Sequence, residues 1–301
     1  AFRELKNPLI VIEQIYRRTG IRIEVLSNAE QHFLGYKSIA AIETGFKKII
    51  QKGTAILDVG GGSLQVSLFD KDALVTTQNL KIGSLRIRER LRELEKSCNH
   101  YDQLVEEFIR NDLVGFERLY LKERDIRNVI LMGDFLTDTI FREERQDNII
   151  TKEEFMTRYE QIVHKSAQVL AEDMDIDQES ASLIVPTLVV LKNFMDAFHA
   201  ESLWLPGVSL LDGIAYDFGE KKKFIKSGHN FENDILVASR NIAKRYSTSK
   251  SHIQGTTDVA LAIFDSIRKI HGMEARQRLL LQIAAQLHDC GKYISMGDVA
   301  E

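Results

Sequence analysis

Cysteine is almost missing from this 301-residue chain: Cys98 and Cys290 stand far apart, in no metal-ligand spacing. That excludes a disulfide-stapled scaffold and suits a reducing compartment, so a cytoplasmic location is expected. Proline occurs three times, at 8, 186 and 206, which permits long helices. No apolar stretch approaches 18 residues and no leader pattern is visible, so no membrane partner is expected. A net charge of −4 gives no support to nonspecific nucleic-acid binding. What is there is 44% apolar and 28% charged, the balance of a soluble globular protein long enough for two or more domains. The first residue is Ala1 rather than Met, and Glu301 follows soon after a helix-like segment, as expected of a fragment.

Residues 55–69, AILDVGGGSLQVSLF, carry the sharpest signal. A short apolar run leads through Asp58 into Gly60-Gly61-Gly62-Ser63, and Leu64, Val66 and Leu68 then alternate with Gln65 and Ser67. The pattern predicts strand, glycine turn, strand. Glycines let a backbone visit positive φ and approach a ligand closely, and successive N–H groups can converge on an anion. The chain does not continue as a helix, and no Gly-Lys-Ser/Thr follows, which excludes dinucleotide and Walker A loops. A carboxylate at this place can hold a metal ion beside a phosphate; a plain hairpin with Asp58 capping its turn is the competing reading.

Elsewhere, 8–19 reads as a helix begun by Pro8 and ended by Gly20. Ile21, Ile23 and Val25 alternate as a strand, and Ser27-Asn28 cap a helix running past Tyr36. Residues 84–97 read as a charged surface helix, 128–133 as a buried strand ending in glycine, and Thr151 with Glu154 as a capping box. A buried helix over 183–200 is expected to be interrupted early by Pro186. The stretch 219–228 is the linker candidate, and 232–295 is helical throughout.

Taken in order, Ala1-Phe2-Arg3-Glu4, IEVLSNAEQ at 23–31, LDVGGGS at 57–63, IGSLRIRERL at 82–91, LMG at 131–133 and LHDCGK at 287–292 resemble the exopolyphosphatase/guanosine-pentaphosphatase family. The resemblance implies an α/β part followed by an all-α part: actin/hexokinase-like (ribonuclease H-like) domains, then a helical HD-like domain. It divides the chain into 1–35, the remainder of a first actin-like domain lacking its N-terminal part; 36–218, a second such domain; and 219–301, a truncated helical domain. It implies hydrolysis of a terminal phosphoanhydride in polyphosphate or guanosine pentaphosphate, with Mg²⁺ bridging phosphate oxygens. Arg3, Gly60, Gly61, Gly62, Ser63 and Gly133 would bind phosphate, and Asp58 would hold the metal. Dimers are common in the long members, so a homodimer is implied as well.

The chain departs from the family at telling places. The family's Ser-Gly-x-Glu-Glu-Ala reads Ser27-Asn28-Ala29-Glu30-Gln31-His32 here, so an amide, Gln31, takes the place of the water-activating base, leaving Glu30 or a water path to compensate. Gln65 stands where a second Glu is usual, and Gly133 is followed by Asp134-Phe135-Leu136-Thr137 rather than Gly-Thr. Mg²⁺ is therefore expected to bind weakly and with the ligand. The alternative function is a catalytically weakened paralogue that binds polyphosphate or an alarmone. His252 and His288-Asp289 stand in the order of an HD-type metal site, which needs a further Asp well downstream where the sequence stops first, so His288 is expected to hydrogen-bond within a helix bundle without transition metal. His32 is expected at the surface or the edge of the cleft.

Overall fold

The computed structural model describes residues 5–71, 73–95, 98, 100–121, 124–133, 135–141, 148–246 and 249–293. Helices are α1 (Pro8–Thr19), α2 (Asn28–Ala40), α3 (Glu43–Ile49), α4 (Ser84–Glu95), α5 (Tyr101–Phe116), α6 (Phe135–Thr139), α7 (Lys152–Ile162) and α8 (Ala167–Met174). They continue with α9 (Gln178–Ala181), α10 (Ile184–Phe198), α11 (Leu210–Lys221), α12 (Phe231–Tyr246), α13 (Lys250–Ser266), α14 (Arg268–His271) and α15 (Ala275–Leu287). Strands are β1 (Thr54–Val59), β2 (Leu64–Asp70), β3 (Ala73–Leu80), β4 (Asn128–Met132), β5 (Ile149–Thr151) and β6 (Ser202–Trp204).

The six strands form one sheet in the order β3-β2-β1-β4-β6-β5. The β1–β2 and β2–β3 pairs are antiparallel, β1–β4 and β4–β6 parallel, and β5–β6 antiparallel. Alternation along the strands feeds two cores. Ala55, Leu57, Val129 and Leu131 face Ile109, Leu188 and Leu191 on one side; Ile56, Ile130 and Trp204 face Tyr36, Ile39 and Phe46 on the other. Helix α10 fills the first core; the stretch Gln178–Phe198 is long and apolar enough to cross a membrane by composition, and 67% of its most apolar 18-residue window is buried here.

Several caps form as the sequence predicts. Ser27 and Glu30 close a capping box on α2, and Thr151 and Glu154 close one on α7. Pro186 does not interrupt α10: it sits in the first turn, where an N–H has no intrahelical acceptor to lose. Residues 21–25 are not a strand. They find no partner strand among the described residues, and Ile21 and Val25 are exposed. Nor is 219–228 a loose linker: α11 runs to Lys221, and Gly219 accepts a 2.8 Å hydrogen bond from the Phe224 amide.

The helical tail is fastened to the sheet part through α2. Tyr36 meets His229 at 2.6 Å and donates to Asp234, while Lys37 donates to Asp217 at 2.7 Å and Glu220 at 2.6 Å. Helix α11 lies so close to α2 that a Cβ on Gly213 would stand 1.9 Å from the Leu34 carbonyl oxygen. Asn241 of α12 donates to the Val75 carbonyl of β3 at 3.1 Å.

Candidate active site

The β1–β2 register sets Asp58 opposite Gln65 and Val59 opposite Leu64, and Gly60–Ser63 close the hairpin. The turn is held from outside. The carbonyls of Gly60 and Gly61 accept from the amides of Ser84 and Arg86 at 3.1 and 2.9 Å, and Gly62 O accepts from Arg86 Nε at 2.8 Å. With those carbonyls turned to the start of α4, no acceptor among the described residues takes the amides of Gly61 and Gly62. The expected excursion to positive φ does not occur at Gly60 or Gly61. Close approach selects glycine here instead, most sharply at Gly83, where a Cβ would stand 2.3 Å from Ser63 N and 2.5 Å from two loop carbonyls.

The hairpin turn lines a cleft of about 650 Å³. Asn28 and Gln31 from α2, Asp58, Gln65 and Asn79 from the sheet, and Lys81, Arg86, Glu89 and Arg90 complete its wall. The structure therefore brings Gln31, Asp58, Gly60, Gly61, Gly62 and Ser63 together. Buried Gln65 donates through Nε2 to the Asn28 carbonyl at 2.8 Å and pins the start of α2 to the sheet. Gly133 lines an adjoining cavity of about 300 Å³ that shares Asp58 and Gly61 with the first. Its φ of 106° explains the glycine, since nothing within 4 Å would oppose a Cβ.

Glu30 is placed differently. Its carboxylate accepts the Ser27 amide at 2.8 Å, which with the Ser27 hydroxyl holds its pKa below the usual range, and it is not part of the cleft wall. Arg3 and Asp134 lie outside the described residues. His32 is neither surface nor cleft edge but buried, with Nε2 2.6 Å from Ser67 Oγ, and Ser67 Oγ in turn 2.7 Å from Thr77 Oγ1. Its Nδ1 is buried without a partner among the described residues, and desolvation pushes its pKa down to about 4. Sequence reading missed the cations Lys81, Arg86 and Arg90. The signal for the two arginines was the run Arg86-Ile-Arg-Glu-Arg90, whose apolar Ile87 turns into the core and leaves Arg86 and Arg90 to the cleft.

Three cations and a main-chain turn outweigh two carboxylates in this cleft, an arrangement suited to a polyanion. Oxygen donors from Asp58, Glu89 and the Gln31 amide, with few carboxylates among them, fit a hard divalent cation that keeps its waters and comes with phosphate.

The sheet and the hairpin turn above the cleft define an actin-like fold. An exopolyphosphatase from Cytophaga hutchinsonii ATCC 33406 is similar with a TM-score of 0.61 and 17% identity, over 75% of this chain and 74% of that one. The Aquifex aeolicus member of the Ppx/GppA protein family matches with a TM-score of 0.54 and 15% identity, over 73% and 72%. The pattern of the Ppx/GppA phosphatase family covers residues 1–222, and the chain belongs to that family. A bifunctional 3-dehydroquinate synthase/phosphatase of Fusobacterium nucleatum is 20% identical over 212 residues; the match takes in 66% of this chain and 30% of that protein. The chain thus spans about a third of the length of that relative.

Proposed function

We propose that this chain carries the phosphate-handling cleft of an exopolyphosphatase-like hydrolase, acting on a terminal phosphoanhydride of polyphosphate or guanosine pentaphosphate. The observation that supports it best is the convergence of the glycine turn, Asp58, Gln31 and three cations on one cleft. Phosphoryl transfer needs charge neutralisation, in-line positioning and a group that manages the attacking water. The amides of Gly61 and Gly62 meet phosphate oxygens; Lys81, Arg86 and Arg90 balance the remaining charge. Asp58 would hold Mg²⁺, which would supply positive charge to offset the charge of phosphoryl transfer. Gln31 orients water through its amide but takes no proton at neutral pH, and lacking a general base typically costs about 10²–10⁴-fold.

That last point favours a second reading, a weakened paralogue that binds polyphosphate or an alarmone and regulates a partner. Gln65, committed to the Asn28 carbonyl, supplies no second carboxylate for metal. Phosphate release from long-chain polyphosphate and from guanosine pentaphosphate, with Mg²⁺ varied, tests the hydrolase. Turnover supports it; calorimetric binding of either ligand without turnover selects the binder.

A further inference from the structure

The cavity beside the glycine turn differs in chemistry from the cleft it adjoins. Strands β1 and β4 run parallel with Asp58 paired to Met132, so the chain leaving them emerges at one edge of the sheet. Gly61 after β1 and Gly133, Phe135 and Leu136 after β4 wall one space of about 300 Å³ there. Asp58 and Gly61 line both this space and the cleft. Val59, Leu131, Met132, Phe135, Leu136 and Leu183 make its surface apolar. Leu131 and Leu136 are rooted in the core, which fixes the shape of that wall. Among the described lining residues, Asp58 carries the only formal charge.

Two of its three hydroxyls have already spent their hydrogen. Thr187 donates to the Leu183 carbonyl at 2.7 Å, and Ser180 donates to the Asp177 carboxylate at 2.6 Å. Phosphate oxygens entering this space would give up water and meet no cation, a costly exchange. An uncharged ring gains from the same exchange, because its apolar surface leaves water. A phosphoryl group seated on the Gly61 and Gly62 amides stands at the boundary between the two spaces. The group bonded to it therefore extends toward Lys81, Arg86 and Arg90 or into the apolar cavity. The cavity's size is at the small end for ligand pockets, which suits a single ring rather than a larger body.

We propose that this site takes an organic phosphate, with its phosphoryl group on the glycine turn and a compact uncharged ring in the cavity. The proposal rests on the phosphate reading of the turn and adds what the phosphate is attached to. Phe135, half-buried, offers an aromatic wall for the ring. Met132 offers an unbranched thioether that adapts to ring shape. Asp58 at the mouth disfavours a second negative charge on the ring. Inorganic polyphosphate and a ring-bearing phosphate thus share the turn and part company at Asp58.

Phenylphosphonate and methylphosphonate share a head group and a P–C bond that water does not cleave, so they report binding whatever the turnover. Each is titrated into the whole chain by calorimetry with Mg²⁺ present, beside inorganic tripolyphosphate. Phenylphosphonate is expected to bind at least about tenfold more tightly than methylphosphonate, as burial of a ring requires. Leu183→Gln, a change of similar size at a half-buried wall position, is expected to cut that ratio at least about threefold. Phe135→Ala gives a second wall change should thermal melting show that the first disturbs the fold. Equal affinity for the two phosphonates, with tripolyphosphate bound, overturns the proposal and leaves the phosphate reading of the turn standing. Failure of all three to bind overturns both. A ratio unmoved by either variant puts the ring elsewhere and overturns the proposal. Equal phosphonate affinities beside tight guanosine pentaphosphate binding that Leu183→Gln weakens would give the cavity to a nucleoside, and overturn the compact ring.

Discussion

The glycine cleft is built largely of main chain, whereas the cluster of His252, His288 and Asp289 in the tail is built of three side chains. In the cleft, the turn carbonyls are spent on α4 and its amides are left over; side chains supply charge around the rim. In the tail, donor atoms meet only because α13 packs beside α15. A main-chain site tolerates a change of side chain and fails when backbone is displaced. A side-chain site fails at a single substitution and tolerates small shifts of backbone.

Displacing the backbone is the strongest way to break that contrast. Gly83→Ala places a methyl 2.3 Å from Ser63 N and 2.5 Å from the Gly60 and Gly61 oxygens, none of which can swing aside. We expect polyphosphate affinity to fall by about 10²-fold, as for an ångström-scale misplacement, and stability by about 1–3 kcal/mol. Calorimetry and thermal melting read both. Unchanged polyphosphate affinity would show that the seat of the turn on α4 is dispensable.

Histidines separate the two regions by burial. His32 stays neutral when folded because burial lowers its pKa from 6.5 to about 4. Below about pH 6.5 the unfolded chain takes up a proton that the folded chain refuses, so stability falls with pH until the folded group titrates near 4. The loss amounts to at most about 3 kcal/mol. Denaturant midpoints between pH 7 and 4 should show this slope in the wild type and a flatter one in His32→Gln. Parallel slopes would mean that His32 is not the group responsible.

Introducing a carboxylate sharpens the comparison from the catalytic side. Gln31→Glu is expected to raise phosphate release by about tenfold or more. Unchanged turnover with ligand binding intact would remove Gln31 from the water-activating role. The smallest effect should come from the rim. Arg90, exposed on α4, is expected to contribute no more than about 1 kcal/mol, so Arg90→Ala costs up to about fivefold in polyphosphate affinity, and less at high salt. A larger loss, indifferent to salt, would make Arg90 part of the inner site.

Elements whose signal is local were legible. The β1–turn–β2 hairpin follows from period-two alternation around glycines, and the helix starts at Ser27 and Thr151 follow from side chains that bond within four residues. Gln31 and Asp58 share a cleft as their motifs suggested. Residues 21–25 show where local pattern stops: alternation makes a strand only where another strand supplies hydrogen bonds, and none does here. Glu30 reads as a free carboxylate in the sequence, yet its cap claims it.

The sequence by itself determined the hairpin, the helical character of the tail, the family resemblance and the amides at 31 and 65, because each is written in residue type and short-range spacing. Only the tertiary structure decided that His32 is buried, that Lys81, Arg86 and Arg90 reach the glycine turn, that Gly83 must lack a side chain, and that His252 meets His288 and Asp289. Those facts depend on which surfaces of distant segments touch. Contact between segments 36 residues apart is set by packing of whole helices, not by any spacing along the chain.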